Sequence, residues 1–272
     1  MNTEHAPVAL VTGASRGLGR ALASGLAAGG YTLIVDARNA AVLDAAVAAL
    51  PPGTRARAVP GDVTDPAHRD ALHRAAQQAG GLDLLVNNAG TLGASPLPPL
   101  ATYPLPQLRD AFEANVIAPI ALTQLMLRWL RDRGGAILNI TSDAAAEPYA
   151  GWGGYGAAKA ALEQASNVLA AEENTVRSWW VDPGDLRTAM HQRAFPGEDI
   201  SDRPLPETVV PAFLRLISER LPSGRYRAAE LFPAGNGDRA AMSAAPVHSP
   251  DAYCQPAQPQ TPASTPDGSA GG

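Results

Sequence analysis

Three residues of this sequence have the types needed for acid–base chemistry, and two of them have the spacing. Tyr155 and Lys159 are four positions apart, so on a helix they share one face. A phenol has an ordinary pKa of about 10, and a nearby ammonium group lowers it. We therefore expect Lys159 to lower the pKa of Tyr155, which could then exchange a proton with a carbonyl or alcohol oxygen. Ser142 could hold that oxygen by a hydrogen bond.

Taken alone, each of these residues also has an ordinary structural interpretation. A Tyr and a Lys at this spacing are commonly a surface pair on a helix. Ser142 is equally typical of a helix or turn cap, and Asn115 is typical of a solvated or capping residue. Their catalytic interpretation therefore depends on what surrounds them in the sequence.

A glycine-rich segment, TGASRGLG from Thr12 to Gly19, follows the first predicted strand and leads directly into a helix. Gly13 permits a tight turn, Gly17 lets the backbone approach a diphosphate, and Gly19 allows close contact between helix and strand. The N-terminus of the helix offers free N–H groups and a partial positive charge to phosphates. This context predicts nucleotide binding.

Short β-branched runs alternate with alanine-rich helical stretches over about the first 240 residues, which suits one α/β domain. The runs are continuously apolar, as strands buried on both faces of a parallel sheet are. The predicted strands are Val8–Thr12, Thr32–Asp36, Arg55–Val59, Leu82–Asn87, Ala136–Thr141, Val176–Val181 and Tyr226–Leu231. The predicted helices are Leu18–Ala28, Ala40–Leu50, Pro66–Ala79, Leu108–Arg131, Trp152–Ala171 and Glu207–Arg220. The pattern predicts a Rossmann-type doubly wound sheet of about seven parallel strands, in the order 3-2-1-4-5-6-7 with helices on both faces.

The composition excludes several classes of function. The chain has 272 residues and a net charge of −5, which argues against nucleic-acid binding. It contains no run of about 18 apolar residues that could cross a bilayer, and no signal peptide is visible, so we expect a cytoplasmic protein that does not enter a membrane. Cys254 is the one cysteine, and no histidine has metal-ligand spacing, so no disulfide or metal site is expected. We interpret all the histidines as surface residues: His5, His68, His73, His191 and His248.

The C-terminal part of the chain has a different composition from the rest. Between Ser243 and Gly272 there are six prolines and no Leu, Ile, Phe or Trp. Such a segment buries too little apolar surface to offset its ordering entropy. We therefore predict one domain over residues 1–232 and a disordered tail over residues 233–272.

Together, the glycine loop and four further motifs resemble the short-chain dehydrogenase/reductase family. The loop has the spacing Gly-x-x-x-Gly-x-Gly, and the remaining motifs follow in that family's order: NNAG at Asn87–Gly90, Asn115, Ser142 with YGAAK at Tyr155–Lys159, and PGDLRT at Pro183–Thr188. The resemblance covers about residues 6–232 and implies an NAD(P)-dependent oxidoreductase with Asn115, Ser142, Tyr155 and Lys159 as its catalytic residues. It also implies that Lys159 grips the nicotinamide ribose, that Asn115 anchors a water chain, and that the chain forms a homodimer or homotetramer. The cofactor-binding residues that it implies are Gly13, Ser15, Arg16, Gly17, Leu18, Gly19, Arg38, Asp62, Val63, Asn88, Ala89, Gly90, Tyr155, Lys159, Pro183, Gly184, Leu186 and Thr188.

The end of the second strand bears on the choice between NADP and NAD. Members of the family that use NAD usually carry an acid eighteen residues after the last loop glycine, and this position is Ala37, with Arg38 next to it. An arginine favours a 2′-phosphate, and Arg16 is a second candidate ligand for it. We therefore favour NADP(H) and leave NAD(H) possible, with Asp36 expected to face away from the cofactor.

The region around YGAAK is also similar to the sepiapterin reductase and dicarbonyl reductase branch of the family. We expect a small or medium carbonyl or alcohol substrate, with Met190–Pro206 as a mobile flap over it. Trp152 either lines the substrate pocket or packs at the helix end. Two alternatives remain open, a 3-oxoacyl-thioester reductase and a non-catalytic dinucleotide sensor, since fold alone does not settle function.

Overall fold

The computed structural model describes residues 6–232, which form seven strands and eight α-helices. The strands are β1 (Val8–Val11), β2 (Thr32–Ala37), β3 (Ala56–Pro60), β4 (Leu84–Asn87), β5 (Ala136–Ile140), β6 (Arg177–Asp182) and β7 (Gly224–Arg227). The helices are α1 (Gly17–Ala28), α2 (Ala40–Ala48), α3 (Pro66–Gln78), α4 (Leu105–Phe112), α5 (Ala118–Arg133), α6 (Gly153–Glu172), α7 (Ala189–Ala194) and α8 (Val210–Ser218).

The strands form one parallel sheet in the order β3-β2-β1-β4-β5-β6-β7, which confirms the predicted fold. Successive strand residues point to opposite faces, so each strand supplies two cores. Ala9 and Val11 pack in the layer that contains α1 and α8, whereas Val8 and Leu10 pack in the layer that contains α3 and α5. All carboxyl ends of the strands therefore meet at one edge, where the polar motifs follow the strands.

The predicted helix Leu108–Arg131 is wrong as a continuous α-helix. The structure has α4, then a π-helical turn at Glu113–Ile117, then α5. Pro119 has no N–H to donate to the carbonyl of Asn115 four residues earlier, and its ring crowds that carbonyl. The helix widens at this point, as π-turns do, and Asn115 lies within the widened turn.

The last two predicted elements are also displaced. The predicted helix Glu207–Arg220 begins instead as a 3₁₀ turn at Pro206–Val209, because Pro211 cannot donate to the carbonyl of Glu207. Strand β7 pairs with β6 only as far as Asp182, so the chain leaves the sheet and forms a 3₁₀ turn at Ala228–Leu231.

Some of the sequence predictions concern residues outside the described range. They are the disordered tail over residues 233–272, which contains His248 and Cys254, and the interpretation of His5 as a surface residue. Among residues 6–232, no helix is long and apolar enough to cross a membrane, and no group of three or more His, Cys, Asp or Glu side chains is arranged to hold a metal ion.

Candidate active site

A cleft of about 2570 Å³ lies along the carboxyl edge of the sheet. Its volume exceeds that of an ordinary small-ligand pocket, roughly 300–1,000 Å³, and leaves space for a dinucleotide and a second molecule. Every predicted cofactor-binding residue lines this cleft, as do Ser142, Tyr155 and Lys159 among the predicted catalytic residues. Asn115 does not line it.

The glycine loop between β1 and α1 has the backbone geometry that its sequence requires. Gly13 has a φ of 67°, in the left-handed region that favours glycine. A Cβ at Gly19 would lie 2.4 Å from the carbonyl oxygen of Gly13, so helix and loop can approach this closely only without a side chain. Arg16 precedes α1 without capping it, which leaves the first N–H groups of the helix available to an anion.

The NNAG segment after β4 is tied to the glycine loop through Thr12. Its Oγ1 accepts hydrogen bonds from the backbone N–H groups of Asn88 and Ala89, both at 2.9 Å. In return, the Asn88 amide donates to the Thr12 carbonyl oxygen at 2.8 Å. The two loops that would face a dinucleotide are therefore held as one unit.

Helix α6 and the end of β5 bring the acid–base residues together. Tyr155 and Lys159 are both buried, with 8% and 4% exposure, and Lys159 Nζ lies 5.5 Å from the centre of the Tyr155 ring. Lys159 Nζ also donates to the Ile140 carbonyl oxygen at 2.8 Å, which anchors the ammonium group at the end of β5. Ser142 follows β5 and lines the same part of the cleft.

The electrostatics of this group differ from the sequence expectation. Burial raises the pKa of Tyr155 above its ordinary value, and the carboxylates of Asp182 and Asp143 raise it further, against a smaller opposing effect of a hydrogen bond with Ser142. The pKa of Tyr155 is therefore raised overall, contrary to the net lowering that the sequence predicted. Burial also lowers the pKa of Lys159 to about 8, because the ammonium form loses hydration.

Asn115 acts on the backbone of the segment that follows NNAG. Its Oδ1 accepts from the Thr91 N–H at 3.0 Å and its Nδ2 donates to the Thr91 carbonyl oxygen at 2.7 Å. A Cβ at Gly90 would lie 2.5 Å from Asn115 Oδ1 and 3.8 Å from Lys159 Nζ, so the amide and the ammonium group face the same glycine. The π-turn thus places Asn115 behind the cleft and close to Lys159.

Two carboxylates beside the acid–base group were missed in the sequence. Asp143 accepts from Ser142 Oγ at 2.9 Å and from Tyr149 Oη at 3.0 Å. Asp182, at the end of β6, accepts from the Gly184 N–H at 2.9 Å, and burial raises its pKa to about 6. The sequence signals that could have identified them are weak: Asp143 directly follows Ser142, and Asp182 directly precedes the PGDLRT motif.

At the end of the cleft next to β2, the arginine side chains are exposed and one carboxylate is buried. Arg16 and Arg38 are exposed along the cleft. Asp36 is only 1% exposed, and its carboxylate contacts the Gly13 N–H and the ring of His68. The interpretation of His68 as a surface residue is therefore wrong, because α3 packs its ring against β2 with 7% exposure. Asp62 lines the cleft while its Oδ1 accepts from the Thr64 N–H at 3.0 Å.

An aromatic wall encloses the cleft near Tyr155. The Trp152 ring lies 5.8 Å from the ring of Tyr155 and 5.8 Å from that of Phe195, measured between centroids. Trp152 thus lines the cleft and also packs at the start of α6, so both sequence interpretations apply to it. Met190 and Phe195 place the predicted flap segment against this wall.

The fold and the cleft define a dinucleotide-binding protein of the Rossmann type. A family model described as short chain dehydrogenase matches residues 7–199. Sepiapterin reductase of Meriones unguiculatus is 37% identical over 201 residues, which are 69% of this chain and 77% of the relative. Gluconate 5-dehydrogenase of Gluconobacter oxydans (strain 621H) is 31% identical and covers 80% of this chain and 81% of its own length. A short chain dehydrogenase structure from Shigella flexneri 2a str. 301, complexed with NADP, has a TM-score of 0.76 and 30% identity, and covers 82% of this chain and 96% of its own.

The chain therefore belongs to the short-chain dehydrogenase/reductase family, with sepiapterin reductases among its similar relatives. This confirms the resemblance that the five motifs indicated. The protein is an oxidoreductase of that family.

Proposed function

We propose that the protein is an NADP-dependent carbonyl reductase or alcohol dehydrogenase that acts on a small or medium organic substrate. One observation carries the proposal: Ser142, Tyr155 and Lys159 line the same cleft as the glycine loop, so a dinucleotide on the loop and a carbonyl group beside Tyr155 would share one space. The bound nicotinamide supplies the hydride chemistry.

The residues of the chain supply proton transfer and orientation. Tyr155 donates a proton to the carbonyl oxygen and takes it back in the reverse direction. Ser142 turns its single hydroxyl proton from Asp143 to the same oxygen and so stabilises the developing alkoxide. Lys159 orients the nicotinamide ribose and stabilises the phenolate, while Asn115 holds the backbone next to it. The charge of a bound oxidised nicotinamide would oppose the carboxylates that raise the pKa of Tyr155.

The cleft suits a dinucleotide along its whole length. The uncapped start of α1 offers N–H groups to the diphosphate, and Gly13 and Gly19 leave no side chain in the way. The exposed guanidinium groups of Arg16 and Arg38 favour a 2′-phosphate. The Shigella flexneri relative complexed with NADP supports the same cofactor.

The aromatic wall of Trp152 and Phe195 favours a substrate with an apolar or planar part next to its carbonyl group. The similarity to sepiapterin reductases supports the same class of substrate. An acyl-carrier thioester and a purely regulatory dinucleotide site are the competing possibilities that the experiment must separate.

The experiment measures NADPH oxidation with diketones, aldehydes, pterins and acyl thioesters, using the native protein and Tyr155→Phe. We expect turnover of at least one carbonyl class and a loss of about 10²-fold or more in kcat for the variant, since the phenol proton is removed while the ring remains. Undiminished activity in Tyr155→Phe would overturn the catalytic assignment. NADPH binding without turnover of any substrate would favour the sensor.

A further inference from the structure

A buried carboxylate–imidazole pair lies directly beneath the glycine loop. Asp36 is 1% exposed and His68 is 7% exposed. Asp36 Oδ1 accepts from the Gly13 N–H at 2.7 Å, and Oδ2 lies 3.0 Å from His68 Nε2. When Asp36 is ionised its carboxylate only accepts hydrogen bonds, and the imidazole then donates at Nε2.

This pair joins three elements that surround the adenosine end of the cleft. Asp36 belongs to β2, Gly13 to the glycine loop, and His68 to the first turn of α3. Asp65 caps α3 by accepting from the Ala67 N–H at 2.9 Å, which fixes the turn that carries the imidazole.

The chain leaves room for the imidazole at Gly61. A Cβ at this position would lie 2.1 Å from His68 Nδ1, so a side chain here would displace the ring. The neighbouring Arg69 donates to the Val63 carbonyl oxygen at 2.7 Å and so holds the loop that follows β3. The first turn of α3 is thus bound both to the glycine loop and to the Asp62–Val63 loop.

The direction in which the Asp36 carboxylate points should affect which dinucleotide binds. Asp36 lies two residues before Arg38 and lines the cleft, close to where an adenosine ribose would bind at the end of β2. A carboxylate directed into the cleft at this point would accept ribose hydroxyls and repel a 2′-phosphate. In the structure both of its oxygens are engaged by Gly13 and His68 instead.

We propose that His68 is a positioning residue that determines cofactor preference. It holds the Asp36 carboxylate against the Gly13 N–H and so keeps this negative charge away from the 2′-phosphate. Arg38 is then the charged group that faces the phosphate. This inference rests on the proposed use of NADP. It adds that an arginine alone does not set the preference, because the acid two residues away must also be restrained.

The test measures the Kd of NADP⁺ and of NAD⁺ by calorimetry, without any carbonyl substrate. His68→Leu removes the donor, and we expect the preference for NADP⁺ over NAD⁺ to fall by about tenfold, because the released carboxylate repels the phosphate. His68→Gln keeps an N–H donor and should restore the preference to within about threefold of the native value.

A double variant separates charge from packing. In Asp36→Asn with His68→Leu, the carboxylate is absent and the restraint is no longer needed, so NADP⁺ affinity should return to within about threefold of the native value. Asp36→Asn alone keeps an acceptor for the Gly13 N–H, and its amide can donate to His68 Nε2 once the imidazole proton sits on Nδ1, so this variant should retain the preference. Melting temperatures without cofactor identify any variant that does not fold.

Two outcomes would overturn the inference. In the first, the double variant binds NADP⁺ as weakly as His68→Leu, which means that the imidazole has only a packing role. In the second, His68→Leu keeps the native preference for NADP⁺ over NAD⁺, which means that His68 does not determine it. Both results leave the proposed function intact when the native protein binds NADP⁺. If the native protein binds neither dinucleotide, the proposed function fails as well.

Discussion

At the scale of single residues, the site combines a buried acid with two carboxylates that oppose its ionisation. Burial raises the pKa of Tyr155, and the carboxylates of Asp182 and Asp143 raise it further. A high pKa keeps the phenol protonated, which suits proton donation to a carbonyl oxygen. The charges around Tyr155 therefore keep its phenol in the protonated form that a proton donor needs.

Asp182 should make stability depend on pH in a direction unusual for a carboxylate. Burial raises its pKa from 3.8 to about 6, so the folded protein retains a proton that the unfolded chain releases. The free energy of unfolding then falls as the pH rises through this interval. Asp182→Asn keeps the acceptor for Gly184 and removes the ionisation, so it should stabilise the protein above about pH 6 by up to roughly 3 kcal/mol and give no gain below about pH 4.

Urea unfolding at several pH values measures this difference, with the exposed Asp44→Asn as the control. The control should change the free energy of unfolding little at any pH. A gain from Asp182→Asn that is equal at acidic and alkaline pH would contradict the role of ionisation.

Arg38 is the residue with which the proposed cofactor preference can be reversed. The native protein should have a kcat/KM for NADPH at least about tenfold above that for NADH, and Arg38→Asp should invert the ratio, because a carboxylate repels the 2′-phosphate. Arg55→Asp makes the same charge change at an exposed position outside the cleft and should leave the ratio unchanged. A native preference for NADH would refute the assignment.

At the scale of elements, the site depends on close approaches that only small residues allow. Helix α6 carries Tyr155 and Lys159, and it packs against the turn after β5 that carries Ser142. A Cβ at Gly156 would lie 2.4 Å from the Ala144 carbonyl oxygen, which is backbone and cannot rotate away. The glycine therefore allows α6 to approach the turn that follows Ser142 this closely.

Gly156→Ala should push α6 away from the Ser142 turn. We expect kcat/KM to fall by at least about tenfold, since displacements of around 1 Å between reacting groups are costly. Ala157→Ser adds one heavy atom to the adjacent, exposed position and should change kcat/KM less than about twofold. Equal activities of the two variants would show that the close approach is not required.

At the scale of the whole molecule, one parallel sheet brings motifs from distant parts of the sequence to a single edge. The described residues 6–232 contain every predicted site residue. Assembly into a dimer or tetramer stays a prediction, for which the exposed apolar side chains of Ile117 and Val168 are candidate contacts.

The predicted domain boundary can be tested directly. A chain ending at Phe232 should keep its melting temperature and retain kcat/KM within about twofold, because the composition of residues 233–272 does not support a core. Differential scanning fluorimetry and the NADPH assay measure both quantities. Loss of folding or activity would place part of residues 233–272 within the domain.

The sequence by itself determined the alternation of strands and helices, the strand order and the predicted cofactor-binding residues that line the cleft, but not Asp143 and Asp182 beside Tyr155. These features depend on local periodicity, on glycine requirements and on motifs in fixed order. Even the break at Asn115 has a local cause, since Pro119 follows four residues later. Only the tertiary structure decided the direction of the Tyr155 pKa shift and the burial of His68. Both result from interactions between residues far apart in the chain, namely the contact of Asp36 with His68 and the electrostatic effect of Asp182 on Tyr155, and desolvation appears only when the folded chain buries these groups.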